Sequence, residues 1–129
     1  MNILLVEDDR LLAKGTAKLI ERLSSHQVKI TEEPKEVFQW CQDGAIDLVL
    51  MDINLPGSRW EGASINGTVL ARLLKEDSQT ERIPIILLSA YAMKNQQAEL
   101  LAISKADDFW TKPITVYNEL IDRMEALVK

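Results

Sequence analysis

The chain has one cysteine and one histidine in 129 residues, and each scarcity excludes a class of chemistry. A lone Cys41 rules out an internal disulfide, which agrees with a reducing compartment and an expected cytoplasmic location. Cys41 lies between Phe38, Trp40 and the strand that follows. It reads as a small buried apolar residue rather than a nucleophile, since the only histidine, His26, falls in a polar turn and is expected to be exposed. Basic residues are also in short supply. Lys and Arg number 15 against 20 Asp and Glu, a net charge of −5, so no basic face is available for a nucleic-acid backbone. No apolar run approaches membrane-spanning length, so no membrane insertion is expected. The N-terminal stretch Met1-Asn2-Ile3-Leu4-Leu5-Val6-Glu7 meets acid at once without a basic region and does not read as a signal peptide. Repeats, linkers and low-complexity tracts are missing as well. One domain, residues 1–129, is expected at this length, enough to bury roughly two-thirds of the surface its unfolded form exposes.

What is present centres on Ile46-Asp47-Leu48-Val49-Leu50-Met51-Asp52-Ile53-Asn54-Leu55-Pro56-Gly57. This short apolar run closes on a carboxylate and Pro-Gly, the pattern of a strand buried on both faces of a parallel sheet. Taken alone, Asp52 reads equally well as a ligand-facing carboxylate or as a residue that merely stops a strand. Ile3-Leu4-Leu5-Val6 is a second buried strand, followed by Glu7-Asp8-Asp9 and then a helix with Leu12, Thr16, Leu19, Ile20 and Leu23 at helical spacing. Gln27 to Thr31 alternates like an outer strand, and Pro34 opens a helix through Val37, Phe38 and Cys41. Residues 58–66 read as an unusually long loop. Helix resumes near Gly67, strand at Ile83 to Leu88, helix from about Met93 to Ile103, a short strand around Asp107 to Trp110, and a last helix through Leu127. Strand and helix alternate five times. The expected fold is therefore α/β, a doubly wound five-stranded parallel sheet in the order 2-1-3-4-5 with right-handed crossovers.

In that topology the ends of the first and third strands are neighbours at the point where the winding reverses, so Glu7, Asp8 and Asp52 should converge. Carboxylates so placed repel one another, and near neutral pH such a cluster is stable chiefly with a cation in it. Oxygen ligands describe Mg²⁺ better than zinc. Ser89 and Lys112 fall at the ends of two further strands. A carboxylate-held metal beside a hydroxyl and an ammonium is a site for phosphoryl transfer, with Asp52 as nucleophile and Lys112 and Ser89 balancing charge on the phosphoryl oxygens. Singly, Ser89 reads as a turn residue and Lys112 as a solvated lysine; their joint placement carries the argument.

Leu5-Val6-Glu7-Asp8-Asp9, Met51 to Gly57, Leu88-Ser89-Ala90 and Ala106 to Ile114 resemble, in order and over essentially the whole chain, the receiver domain of two-component response regulators. The resemblance implies a CheY-like, flavodoxin-like fold in which Asp52 accepts a phosphoryl group from a histidine kinase or histidine phosphotransfer protein. It implies Mg²⁺ held directly by Asp8 and Asp52, through water by Glu7, and by the backbone carbonyl of Asn54. Asp9, just outside the acid pair, is expected to cap the first helix. Ser89 and Phe109 would be the switch residues, Asn54 and Tyr91 would tune hydrolysis, and Lys112-Pro113 would be a cis peptide. Output would pass to a partner through the face of the fourth and fifth helices and fifth strand. Enzymatic activity would be confined to self-phosphorylation from donors and self-dephosphorylation.

Phe109 lacks a hydroxyl, so a switch there must rest on packing. The loop at 58–66 is longer than the family's connection to the following Gly, and its Trp60 either helps select the phosphodonor or is an exposed side chain of an inert insertion. A small Mg²⁺-dependent phosphatase would need a second acid where Asn54 stands, and an FMN-binding domain would want a Ser/Thr/Gly-rich loop where Glu7-Asp8-Asp9 stands. A non-phosphorylated interaction module of the same fold is the remaining alternative. Since the last helix runs to Lys129, the chain is expected to act alone or to be a module cut from a larger regulator or hybrid kinase.

Overall fold

A computed structural model describes residues 1–56, 58–90 and 94–129. Among these the elements run β1 (Asn2–Val6), α1 (Arg10–Leu23), β2 (Gln27–Thr31), α2 (Pro34–Gln42), β3 (Leu48–Asp52), a small hairpin of β4 (Arg59–Trp60) and β5 (Ala63–Ser64), α3 (Gly67–Glu76), β6 (Ile85–Ser89), α4 (Lys94–Ser104), β7 (Asp108–Thr111) and α5 (Tyr117–Val128). The main sheet is parallel with the order β2-β1-β3-β6-β7, which is the expected 2-1-3-4-5 once the hairpin strands are left out of the count.

Strand periodicity sorts the apolar residues into two layers. Leu4, Val6, Val49, Met51, Ile85 and Leu87 face Val37 and Phe38 of α2 and Leu70 and Leu74 of α3. Ile3, Leu5, Leu48, Leu50, Ile86 and Leu88 face Ala13 and Ile20 of α1 and Leu120, Ile121 and Met124 of α5. β3 and β6 are buried along their whole length, which explains why they read as continuous apolar runs.

Local signals set the helix ends. The Asp9 side chain accepts from the Leu12 N–H at 3.1 Å, so the expected cap is present, and Pro34 occupies the first turn of α2. The carboxamide oxygen of Asn66 accepts from the Val69 N–H at 2.9 Å and starts α3. Helix α1 departs from its leucine pattern. It buries Ala13, Thr16, Ala17 and Ile20, while Leu12, Leu19 and Leu23 are 42%, 38% and 47% exposed. Small residues on the inward face bring the helix close to the sheet, and the leucines flank the contact instead of filling it.

Three expectations need correction or extension. His26 is not in open solvent: its side chain is 11% exposed, with Nε2 2.7 Å from a Glu125 carboxylate oxygen and Nδ1 3.0 Å from the terminal amine. The Gln27 N–H bonds to the Met1 carbonyl as β2 pairs with β1, and this draws the turn against the end of α5. Residues 58–66 are not plain loop. They contain the hairpin β4–β5, whose two-residue turn at Glu61 and Gly62 has φ of 51° and 82°, the left-handed pair that a tight hairpin requires. Trp60 is not an exposed ring either, for it stacks on Phe38 with centroids 4.4 Å apart and an interplanar angle of 25°. Cys41 is buried as expected, and burial pushes its thiol up to about 12, which leaves it inert. No helix among the described residues is long and apolar enough to cross a membrane.

Gly67 is where α3 meets the sheet. A Cβ at this position would lie 1.9 Å from the Asp52 carbonyl oxygen and 2.8 Å from the Ile53 Cα, while the Gly67 N–H bonds to the Ile53 carbonyl at 3.0 Å. Only a residue without a side chain permits that approach. At Gly15, by contrast, an added Cβ meets nothing within 4 Å. Urea denaturation should therefore show Gly67→Ala losing about 3 kcal/mol of stability or more. Gly15→Ala in the middle of α1 should gain about 0.5–1 kcal/mol.

Candidate functional site

The carboxyl ends of β1, β3, β6 and β7 meet on one rim of the sheet, the rim where open α/β folds bind ligands. Glu7 follows β1 and Asp52 ends β3, and the pairing of Val6 with Met51 sets the two acids side by side. Glu7 is 4% and Asp52 3% exposed. Glu7, Asp8 and Asp52 each offer an oxygen within 4.8 Å of the others. The convergence expected from topology is present.

Lys112 closes the cluster from the end of β7. Its Nζ donates to Glu7 Oε1 at 2.7 Å and to Asp52 Oδ2 at 2.9 Å. The strand end is fixed by the Lys112 N–H bonding to the Ser89 carbonyl at 2.9 Å, and the Lys112-Pro113 peptide is cis, as expected. The other oxygen of Asp52 accepts the Asn54 N–H at 3.0 Å, and Glu7 Oε2 accepts the Asp8 N–H at 3.1 Å. Every oxygen of the buried pair therefore has a donor, and the carboxylates are held in one orientation.

Burial pushes the Glu7 carboxyl up to about 8, with the hydrogen bond to Asp52 adding to the rise and Lys112 opposing it. For Lys112, burial favours the neutral amine. Hydrogen bonds to Asp52 and Glu7 outweigh it, and its pKa is raised overall, so it stays a cation. Without a metal, Lys112 and a proton on Glu7 thus offset part of the negative charge of the cluster. An oxygen-only set of crowded acids suits a hard divalent cation such as Mg²⁺, which can take the place of that proton. The donor set fits the expected ion.

A cleft of about 380 Å³ opens beside the cluster, lined by Asp52, Ile53, Asn54, Asn66, Ser89, Ala90 and Lys112. Asp52, Lys112, Ser89 and Asn54 are therefore brought together around one space, and Glu7 and Asp8 cluster with Asp52 without being among its described lining. Phe109 is not in it. Its ring is half-buried on β7, next to Leu87 in the sheet, and packs on the layer that α2 and α3 cover. Trp60 is also outside, on α2, and Tyr91 lies outside the described residues. Asn66 and Gly67 were missed as site residues. The Asn-Gly pair directly before an apolar helical pattern was the available signal, yet only the fold reveals that it abuts Asp52.

The response regulator receiver domain family model matches residues 3–125. The chain belongs to that family. It is 30% identical to Response regulator RR06 of Streptococcus pneumoniae over 129 residues and 32% identical to the phosphate regulon transcriptional regulatory protein PhoB of Pseudomonas aeruginosa over 127 residues. These alignments take in 100% and 98% of this chain but 54% and 51% of the relatives, so the chain spans about half their length. The polar-differentiation response regulator DivK of Brucella anthropi is 30% identical over 115 residues, 89% of this chain and 86% of the relative. Among solved structures, the BeF3-activated N-terminal receiver domain of RstA from Klebsiella pneumoniae superposes with a TM-score of 0.80 at 25% identity, covering 100% of this chain and 99% of the other. The signal receiver domain of a histidine kinase from Syntrophus aciditrophicus gives 0.78 at 27% identity, covering 98% and 89%.

The raised Glu7 carboxyl gives the receiver domain a pH dependence of definite sign. The folded state binds the Glu7 proton more tightly than the unfolded chain, so this contribution to stability is complete below pH 4.5 and is lost as pH rises through about 8. In EDTA, the urea midpoint should fall across that interval, and Glu7→Gln should flatten the fall. A midpoint with the same pH slope in both proteins would show that Glu7 holds no such proton.

Proposed function

We propose that this receiver domain is a phosphorylatable switch. Asp52 takes a phosphoryl group from a phosphohistidine of a histidine kinase or histidine phosphotransfer protein, in a reaction that requires Mg²⁺, and loses it later to water. The observation that carries this reading is Asp52 itself, a 3% exposed carboxylate at a strand end that Lys112 holds at 2.9 Å and that borders a cleft shared with Ser89.

In the step itself an Asp52 oxygen attacks phosphorus as the P–N bond breaks, and the electron pair leaves on the imidazole nitrogen, which takes up a proton. Glu7, Asp8, Asp52 and the Asn54 carbonyl are the groups to hold Mg²⁺, which when bound supplies positive charge against the phosphoryl oxygens. Lys112 is already cationic and aimed at Asp52, so it meets the arriving charge without reorganisation. Ser89 lines the same cleft and donates its hydroxyl to a phosphoryl oxygen.

Because β6 and β7 are paired with Leu87 beside Phe109 and Ser89 beside Thr111, a shift at Ser89 reaches Phe109 through packing alone. The face of α4, β7 and α5 then changes for a downstream protein. The same chemistry serves a free-standing cytoplasmic regulator or a receiver module within a longer one.

Intact mass after incubation with Mg²⁺ and acetyl phosphate should show one added phosphoryl group on the native chain, none on Asp52→Asn, and none in EDTA. No gain on the native chain would refute the phosphoacceptor role. Lys112→Ala should slow the gain by about 10²-fold, the usual cost of one preorganised charge donor.

A further inference from the structure

The segment after Asp52 carries a series of fastenings that lead away from the acceptor to α2. The Asn54 N–H donates to Asp52 Oδ1 at 3.0 Å. Leu55, next in the chain, is 3% exposed and packs in the layer that holds Val37, Phe38 and Cys41 of α2. Its carbonyl accepts the Ser58 N–H at 3.2 Å. The Ser58 hydroxyl donates to the Glu32 carbonyl at 3.1 Å, directly before Glu33 caps α2. The Ser58 carbonyl accepts the Ile65 N–H at 3.1 Å and closes the base of the β4–β5 hairpin, from which Trp60 stacks on Phe38 with centroids 4.4 Å apart. Two independent ties, one polar and one aromatic, thus join one covalent segment to the start and the middle of α2.

We propose that α2 and the hairpin form a second output arm, separate from the face of α4, β7 and α5, which loosens when Asp52 is phosphorylated; the proposal rests on Asp52 as phosphoacceptor. Both Asp52 oxygens hold a donor before the reaction, Lys112 on one and the Asn54 N–H on the other. The Asn54 bond is then made to an anion, and such bonds are about twice as strong as those between neutral groups. When an Asp52 oxygen bonds to phosphorus, the carboxylate becomes an acyl phosphate. The Asn54 N–H then stays on an uncharged oxygen or turns to the phosphoryl group, and in both cases the anchor at Oδ1 is lost. The segment so released is the one that Leu55, Ser58 and Trp60 fasten to α2, so the change reaches the Glu32 carbonyl and the Phe38 ring. The Asn54 bond is the contact that differs between the two states, and α2 with its hairpin is the body that it biases.

Amide hydrogen exchange tests this in Mg²⁺, with and without acetyl phosphate, while intact mass on the same samples gives the phosphorylated fraction. In the native chain, phosphorylation should speed exchange of the α2 amides from Val37 to Gln42 by about twofold to tenfold, the worth of one aromatic pair. In Trp60→Ala that ratio should vanish. Trp60→Phe, which keeps a ring on Phe38, should retain it. The ratio is taken within each variant, so a general loosening of α2 by the substitution does not enter it. Unchanged or slowed exchange of α2 in the phosphorylated native chain would overturn the proposal. A ratio that survives in Trp60→Ala, or that is lost equally in Trp60→Phe, would overturn it too. A native chain that takes up no phosphoryl group would overturn the phosphoacceptor reading and the arm with it.

Discussion

Acidic side chains crowded onto one rim of the sheet are the constraint from which the rest of this receiver domain follows. The parallel strands β1 and β3 are apolar from Ile3 to Val6 and from Leu48 to Met51, and Glu7 directly after one and Asp52 at the end of the other put like charges into a low-dielectric rim. The fold meets this with Lys112, delivered from the far edge strand, and with a proton on Glu7. Helix α3 can reach that rim only because Gly67 has no side chain. The frustration is local: elsewhere among the described residues no buried side-chain nitrogen or oxygen lacks a partner. A pocket of this kind gains from any cation able to neutralise it.

The strands were legible in the sequence because double burial leaves a continuous apolar run, and β1, β3 and β6 are such runs. The acids and Lys112 were legible because each stands directly at a strand end, so topology alone brought them together. Less visible was what depends on one face meeting another. Leu12, Leu19 and Leu23 share the helical period of Thr16 and Ile20, but Ala13 and Ala17 complete the contact in their place, and periodicity does not weigh side-chain size. His26 looked solvated because its neighbours in sequence are polar, whereas its partners are the terminal amine and Glu125, 25 and 99 residues away. The hairpin strands are two residues long, too short for an alternating pattern, and Trp60 finds Phe38 across an interval that no local pattern spans.

The hairpin also changes how the rim is supported. In its absence the segment after Asp52 would be held by its ends alone. Here it is fastened to α2 through an aromatic stack and to the β2–α2 connection through Ser58. α2 and the segment that follows Asp52 are therefore joined mechanically, on the side of the sheet opposite α1 and α5. Phe109 packs on that same layer, so the aromatic side chains on either side of β3 share one core.

Lys112 bonds to residues 105 and 60 positions earlier in the chain. That separation has a consequence during synthesis. A nascent chain that has emerged only as far as α4 already holds the acidic strand ends but not their cation, and the rim can close only after β7 has paired with β6. The rim is therefore among the later parts of the molecule to be completed, and a chain that ends before β7 carries its buried acids without their cation.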